Sequence, residues 1–250
     1  MTNHEGDMPI IVFASSKGGA GKSTSACLLA NALANTGANV TVIDADPNKP
    51  LTRWASHAKL PENLTVITNK DESTILAEIR ESAANSEFVI VDLEGVASVT
   101  VSYAISRANL VVIPVQGSHL DAVEAAKAVR LVRNQEEAFE RKIPFAILFT
   151  RTSPAIRGRT LASIEQNFKD AGYPVFTTQL LEREAFKAIF SCGKTLYQLT
   201  SSHSSNLDKA VNNSEQFALE SIRIVRGVPV ERSDSLDQGK HDEPNIEEIA

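Results

Sequence analysis

Read from its first apolar run, the chain alternates between two hydrophobic rhythms. Short unbroken apolar stretches occur at IIVFAS (10–15), NVTVID (39–44), LTVIT (64–68), FVIVD (88–92), LVVIPV (110–115) and FAILFT (145–150). Between them, apolar residues return at helical spacing over 22–36, 71–84, 97–107, 118–137, 155–171, 183–191 and 205–226. Continuous rather than alternating hydrophobicity marks strands covered on both faces, which is the habit of parallel sheets. The rhythm therefore predicts an α/β fold: a mostly parallel, twisted sheet with helices on both faces, in three layers, with ligands at the C-terminal strand ends. No internal repeat interrupts it. The pattern gives one domain over residues 9–230, a flexible N-terminus at 1–8, and a tail at 231–250 too poor in apolar residues to fold.

Charge sharpens this division. The net charge of −6 is concentrated at the ends: the last twenty residues hold −5 and the first eight −2, so the body is near +1. A near-neutral body with local Arg and Lys clusters leaves nucleic-acid binding open. No run reaches the ~20 apolar residues of a membrane span, and the N-terminus lacks a secretory signal. Cys27 and Cys192 are far apart without metal spacing and read as reduced thiols. A cytoplasmic protein is expected.

The chemistry begins at SSKGGAGKST (15–24). Gly21, Lys22 and Ser23 fit the end of the phosphate-loop pattern G-x-x-x-x-G-K-[ST], but Ser16 replaces its leading glycine and Lys17 adds a second cation. The segment follows a strand and opens a helix, so N–H groups of residues 18–23 (Gly18, Gly19, Ala20, Gly21, Lys22, Ser23) can cradle phosphates, with Thr24 next in line. Lys22 reaches the β- and γ-phosphates, and the Ser23 hydroxyl faces Mg²⁺. A second strand ends at Asp92 and a third in DADP (44–47), putting carboxylates on the same rim to hold the metal.

These three motifs, K-G-G-A-G-K-S (17–23), V-I-D-A-D-P (42–47) and V-I-V-D (89–92), resemble the deviant Walker-A ATPases of the ParA/MinD family in order, spacing and strand context. The resemblance runs from about residue 10 to 226, with echoes in VVIPVQ (111–116), LEREAF (181–186) and GKTLYQL (193–199). It implies a P-loop fold, ATP and Mg²⁺ as ligands, and a nucleotide-sandwich homodimer. In that dimer Lys17 reaches across to the partner's phosphates, while Gly18 and Gly19 let the two loops approach. It further implies that Asp44 contacts the Mg²⁺ shell with Ser23 and Asp92, and that Asp46 orients the attacking water beside Lys17 and Lys22. Two departures stand out. The chain reads DLEG (92–95) where the family often has a proline-containing switch, and Thr150–Arg151 where it often carries a base-reading Asn.

The resemblance also implies an output. Short partition ATPases of this family bind DNA without sequence preference as the ATP dimer and answer to a ParB-like centromere-binding partner. Candidates for the phosphate contacts are Arg183, Lys187, Arg157, Arg159 and Arg223, with Arg183 foremost because R-x-A-F…G-K-T looks like the family's DNA-contacting stretch. The expected function is a weak, partner-stimulated ATPase that partitions a plasmid, cytoplasmic and nucleoid-associated. DADPNKPLTRWA (44–55) also looks like accessory ATPases of conjugative and T-DNA transfer, and a positioning scaffold without DNA is the third possibility. Only nine residues precede the first strand, so no N-terminal helix-turn-helix domain is expected. The acidic tail argues against a MinD-like membrane helix. Three scattered tyrosines and two cysteines argue against the family's tyrosine kinases and cluster-bearing reductases. Trp54 is expected to pack in the core or an interface.

Overall fold

In the computed structural model, residues 8–95, 98–153 and 159–228 are described, except for the side chains of His119 and Arg159. Seven strands form a sheet in the order β3-β2-β4-β1-β5-β6-β7. They are β1 (Ile10–Phe13), β2 (Val40–Ala45), β3 (Leu64–Thr68), β4 (Phe88–Leu93), β5 (Leu110–Val115), β6 (Phe145–Thr152) and β7 (Leu180–Leu181). Every pairing is parallel. The helices are α1 (Lys22–Asn35), α2 (Pro50–His57), α3 (Ile75–Asn85), α4 (Val99–Arg107), α5 (His119–Ala138), α6 (Arg159–Asp170), α7 (Glu184–Cys192) and α8 (Leu207–Val225).

Successive side chains of a strand point to opposite faces, and here both faces are buried. Ile11 and Phe13 of β1 join Leu28 and Leu33 of α1, Trp54 of α2, Ile189 of α7 and Phe217 of α8 in one core. Val12 joins Ile79 of α3, Ile105 of α4, Val132 of α5 and Phe168 of α6 in the other. This is the three-layer, doubly covered sheet that the unbroken apolar runs predict.

Two elements escape the sequence pattern. Helix α2 has only two buried positions, Leu51 and Trp54, in eight residues, and it starts on Lys49 in left-handed conformation with Pro50 behind it. The helical segments read from the periodicity do not include it. Strand β7 has two residues, paired to β6 across a register shift, too short to leave a periodic signal. Trp54 is 3% exposed and donates its indole N–H to the Lys194 carbonyl at 2.9 Å, the packed role expected of it. Cys27 is buried and Cys192 exposed, both free thiols. Among the described residues no helix is long and apolar enough to cross a membrane. The segments 1–7 and 229–250, including the expected tail, lie outside the described residues.

Candidate nucleotide site

β1 stops at the sheet's C-terminal edge, and after eight intervening residues α1 begins at Lys22 with Gly21 as its N-cap. The turn is tight enough to demand glycine. Gly19 has φ +78° and Gly21 φ +100°, and a Cβ on Gly21 would meet the Thr150 hydroxyl at 3.3 Å. Gly18 differs: its φ is ordinary and nothing lies within 4 Å of where a Cβ would stand. Nothing inside the chain requires a glycine there.

Lys22 is 8% exposed and curls back over the loop, its Nζ near the carbonyls of Ser15 (3.4 Å) and Lys17 (3.5 Å). The loop itself is tied down by side chains from distant elements. Thr150 Oγ1 donates to the Ala20 carbonyl (2.7 Å), and Gln116 Nε2 to the Gly19 carbonyl (2.8 Å). Ser16 Oγ donates to the Glu124 carbonyl (2.9 Å). Lys17 forms an ion pair with Asp121, which is 3% exposed and sits in the capping box that Ser118 makes at the start of α5. Burial opposes ionisation of Asp121, but Lys17 and Ser118 together hold its carboxyl below the ordinary value.

Under the loop lie two carboxylates. Asp44 and Asp92 are cross-strand partners on β2 and β4, and both are fully buried. Asp44 Oδ2 accepts the N–H of Thr52 on α2 at 2.7 Å, whereas its Oδ1 has no partner. Burial pushes its pKa up. Asp92 is more extreme. Burial raises it to about 7; the Ser23 hydroxyl and the charge of Lys22 pull it down, and Asp44 and Asp46 push it up. Ser23 is near enough to act on it, yet neither Asp92 oxygen receives a well-formed hydrogen bond. Buried carboxylate oxygens without donors are costly unless a cation completes them.

Above them opens a cleft of about 350 Å³, walled by Gly18, Gly19, Lys22, Ser23, Asp46 and Glu94 among others. Asp46 is half-buried, and its Oδ1 accepts the Asn48 N–H at 2.7 Å, an Asx turn that leaves the other oxygen for a ligand. Of the residues expected to bind phosphate and metal, Gly18, Gly19, Gly21, Lys22, Ser23, Thr24 and Asp46 wall this cleft with Glu94 and Gly95 of the DLEG segment, while Ala20, Asp44 and Asp92 are buried. The hard oxygen set of Ser23, Asp44 and Asp92 fits Mg²⁺, which takes one or two carboxylates and leaves its other positions to phosphate and water. Among the described residues no cluster of three or more His, Cys, Asp or Glu offers a protein-only metal cage.

The DNA candidates fare differently. Arg157 lies outside the described residues, and of Arg159 only the backbone, opening α6, is described. Lys187 is paired with Glu182 (3.1 Å) and Glu184 (2.9 Å), so its charge is locally cancelled. Arg183 stands at the N-cap position of α7, half-buried, with its Nε enclosed and without a hydrogen bond, and it lines a cavity beside the phosphate loop. A docked DNA backbone needs exposed cations; Lys187 is exposed but shared with two glutamates, and Arg183 is half-buried. Arg223, in the last turn of α8, is partly exposed with no acidic partner among the described residues.

Sequence reading misses Asp121 as part of the site, and misses that Gln116 and Thr150 tie down the loop. The Ser118-x-x-Asp121 spacing at a helix start signals a capping box, but nothing local links it to Lys17, 104 residues away.

Compared with known proteins, residues 8–231 match the family model described as VirC1 protein. Protein ParA of Rhizobium radiobacter is 44% identical over 212 residues, covering 85% of this chain and 95% of that one. Protein virC1 of Rhizobium radiobacter is 28% identical over 223 residues, covering 87% and 96%. A solved Cyanothece McdA–ATP complex superposes with a TM-score of 0.71 at 18% identity, covering 91% of this chain and 99% of that one.

Proposed function

The chain belongs to the VirC1 family, close to the ParA/MinD ATPases, and from that premise we propose that it is a Mg²⁺-ATP-dependent dimerising switch with weak ATPase activity. The observation that carries this reading is the pair of buried carboxylates at the phosphate loop, Asp92 with neither oxygen partnered and Asp44 with one oxygen free. A fold with no cation to bind gains nothing from keeping three carboxylate oxygens there without donors.

In this reading the N–H groups of residues 18–23 and Lys22 bind the phosphates, and Ser23, Asp92 and Asp44 hold Mg²⁺. The ion would neutralise charge on the terminal phosphates. Asp46, with one oxygen held by its Asx turn, keeps the other in place to orient water. Lys17, 39% exposed on the phosphate loop, supplies positive charge to the ligand of a second copy, so the ATP state and the dimer are one event. Gly18 supports the face-to-face approach, since nothing within the described chain stands where its Cβ would be and the space is left to a ligand or an incoming surface.

The output is DNA partition: the ATP dimer binds nonspecific DNA on the nucleoid, and a centromere-binding partner stimulates hydrolysis. The 44% identity to a protein named ParA supports it. A second reading, an accessory ATPase of DNA transfer, is favoured by the family model itself, which spans residues 8–231. Both use the same switch. Sedimentation with ATP and Mg²⁺, with and without duplex DNA, tests it. A dimer with ATP that is retained on DNA at low salt is expected, as is a long-lived dimer without turnover for Asp46→Ala. A monomer under saturating ATP overturns the switch, and a dimer that ignores DNA leaves only a scaffold.

A further inference from the structure

A groove of about 490 Å³, larger than the phosphate cleft, lies between α2 and the end of α7. Arg53, Trp54 and His57 form one wall, and Phe190, Ser191 and Cys192 the other; among the described residues no acid lines it. The walls are fixed to each other. Trp54 lies against Phe190, ring centroids 6.5 Å apart, and donates to the Lys194 carbonyl at 2.9 Å. Gly193, at φ +56°, fits so closely that a Cβ there would stand 2.9 Å from the His57 Cβ. The His57 ring is held in turn, its Nδ1–H donating to the Arg53 carbonyl at 2.8 Å. Resting on the DNA reading above, we infer that this groove holds the backbone of duplex DNA, with Arg53 as its main phosphate contact.

Charge decides the kind of ligand. Arg53 is exposed, and among the described residues no acid stands within ion-pair distance of its guanidinium. Lys59, exposed two residues beyond His57, and Lys194, half-buried next to Gly193, lack an acidic partner there too. By contrast, Lys187 earlier on α7 shares its charge with two glutamates. Uncompensated cations on an open surface suit a run of phosphates, which they hold by charge and position without reading bases. A lone small anion needs enclosed donors, and this guanidinium stands in water. Trp54 is only 3% exposed and Phe190 packs against it, so the groove offers no open indole for stacking an unpaired base.

The groove is joined to the nucleotide site through one residue. Thr52, directly before Arg53, donates its N–H to Asp44 Oδ2 at 2.7 Å, and its hydroxyl bonds that of Thr68 at 2.8 Å. Asp46 accepts the Asn48 N–H in the turn that leads into α2. The first turn of α2 is thus held by the same carboxylates that the nucleotide reading assigns to metal and water. A change of charge at Asp44 alters the pull on Thr52, and with it the setting of Arg53 on the next residue. DNA affinity then follows the nucleotide state twice, through the setting of α2 and through the pairing of two grooves in the dimer.

Filter binding of duplex DNA by the full chain tests this, with Mg²⁺ and either ADP or a non-hydrolysable ATP analogue, across a salt series. Arg53→Glu should weaken retention by about tenfold or more at low salt and lower the salt slope by about one unit per subunit. Arg53→Lys keeps the charge and should stay within about threefold of the parent. Ser191→Glu, on the facing wall, should weaken retention as well, because it sets a carboxylate against the same phosphates. Sedimentation with the analogue should find the dimer intact in all three. Parental retention by Arg53→Glu or by Ser191→Glu overturns the groove. So does an Arg53→Lys protein as weak as Arg53→Glu, which makes Arg53 a packing residue, or a variant that no longer dimerises, which gives the groove to the subunit contact. Equal retention of the parent with ADP overturns the link through Thr52. A parent that dimerises but is not retained at any salt removes the DNA reading itself, and the groove with it.

Discussion

Lys17 Nζ lies 2.5 Å from Asp121 Oδ1, an ion pair that joins the phosphate loop to the first turn of α5. The lysine is 39% exposed and the aspartate 3%, so one partner is free to leave and the other is not. Anything that wants Lys17 elsewhere competes with a fixed carboxylate of its own chain.

Asp121→Asn should ease that competition. Asparagine keeps the side-chain oxygen that caps α5 but drops the charge. A hydrogen bond to a charged group contributes about 1.5–3 kcal/mol, of which partial exposure of Lys17 leaves the lower part. The ATP concentration needed for half-dimerisation should fall by about tenfold, read by light scattering. An unchanged or higher midpoint would show that Asp121 holds Lys17 ready rather than holding it back.

The buried pair Asp44–Asp92 sets a pH dependence. Asp92 ionises near 3.8 ordinarily and near 7 when folded. Its proton favours the folded state fully below about pH 4, progressively less as pH rises, and not at all above about 7. Asp44, also raised, adds in the same direction. Without Mg²⁺, Asp92→Asn should therefore be more stable than the parent by on the order of 4 kcal/mol at pH 8, with little difference near pH 4. Urea midpoints at the two pH values measure it. Equal midpoints at pH 8 would mean that the carboxylate is solvated in the folded protein.

Two glycines of one loop should part company. Gly21→Ala puts a side chain at φ +100° against Thr150 and should destabilise the monomer by about 1–2 kcal/mol or more. Gly18→Ala has room and an ordinary backbone, so melting and nucleotide affinity should stay at parental values while the ATP dimer weakens. Calorimetry and sedimentation separate the effects. A Gly18→Ala dimer of full strength would remove the loop-to-loop approach.

The site was legible in the chain wherever its chemistry is local. The loop, its helix and the strand-end acids Asp44 and Asp92 stand within short, periodic segments, and their convergence follows from a parallel sheet that brings β1, β2 and β4 to one edge. What ties the site together was not. Thr150 reaches Ala20 across 130 residues, and the Thr52 N–H donates to Asp44 from a helix absent from the periodic segments. Lys187 was a partial exception: Glu184 three residues before it signals a helical ion pair that cancels its charge.

That cancellation redirects the search for a DNA contact. Lys187 is neutralised by two glutamates and Arg183 faces a cavity, whereas Arg223 stands partly exposed near the end of α8 without an acid beside it. A cation that contacts phosphate contributes about one released counterion and hence about one unit of salt slope. Arg223→Glu should weaken retention of the ATP dimer on duplex DNA severalfold and flatten its salt dependence, doubled by the two copies in the dimer, with dimerisation intact. Lys187→Ala should change retention little. Filter binding across a salt series reads both, and the reverse ranking would return the DNA surface to α7.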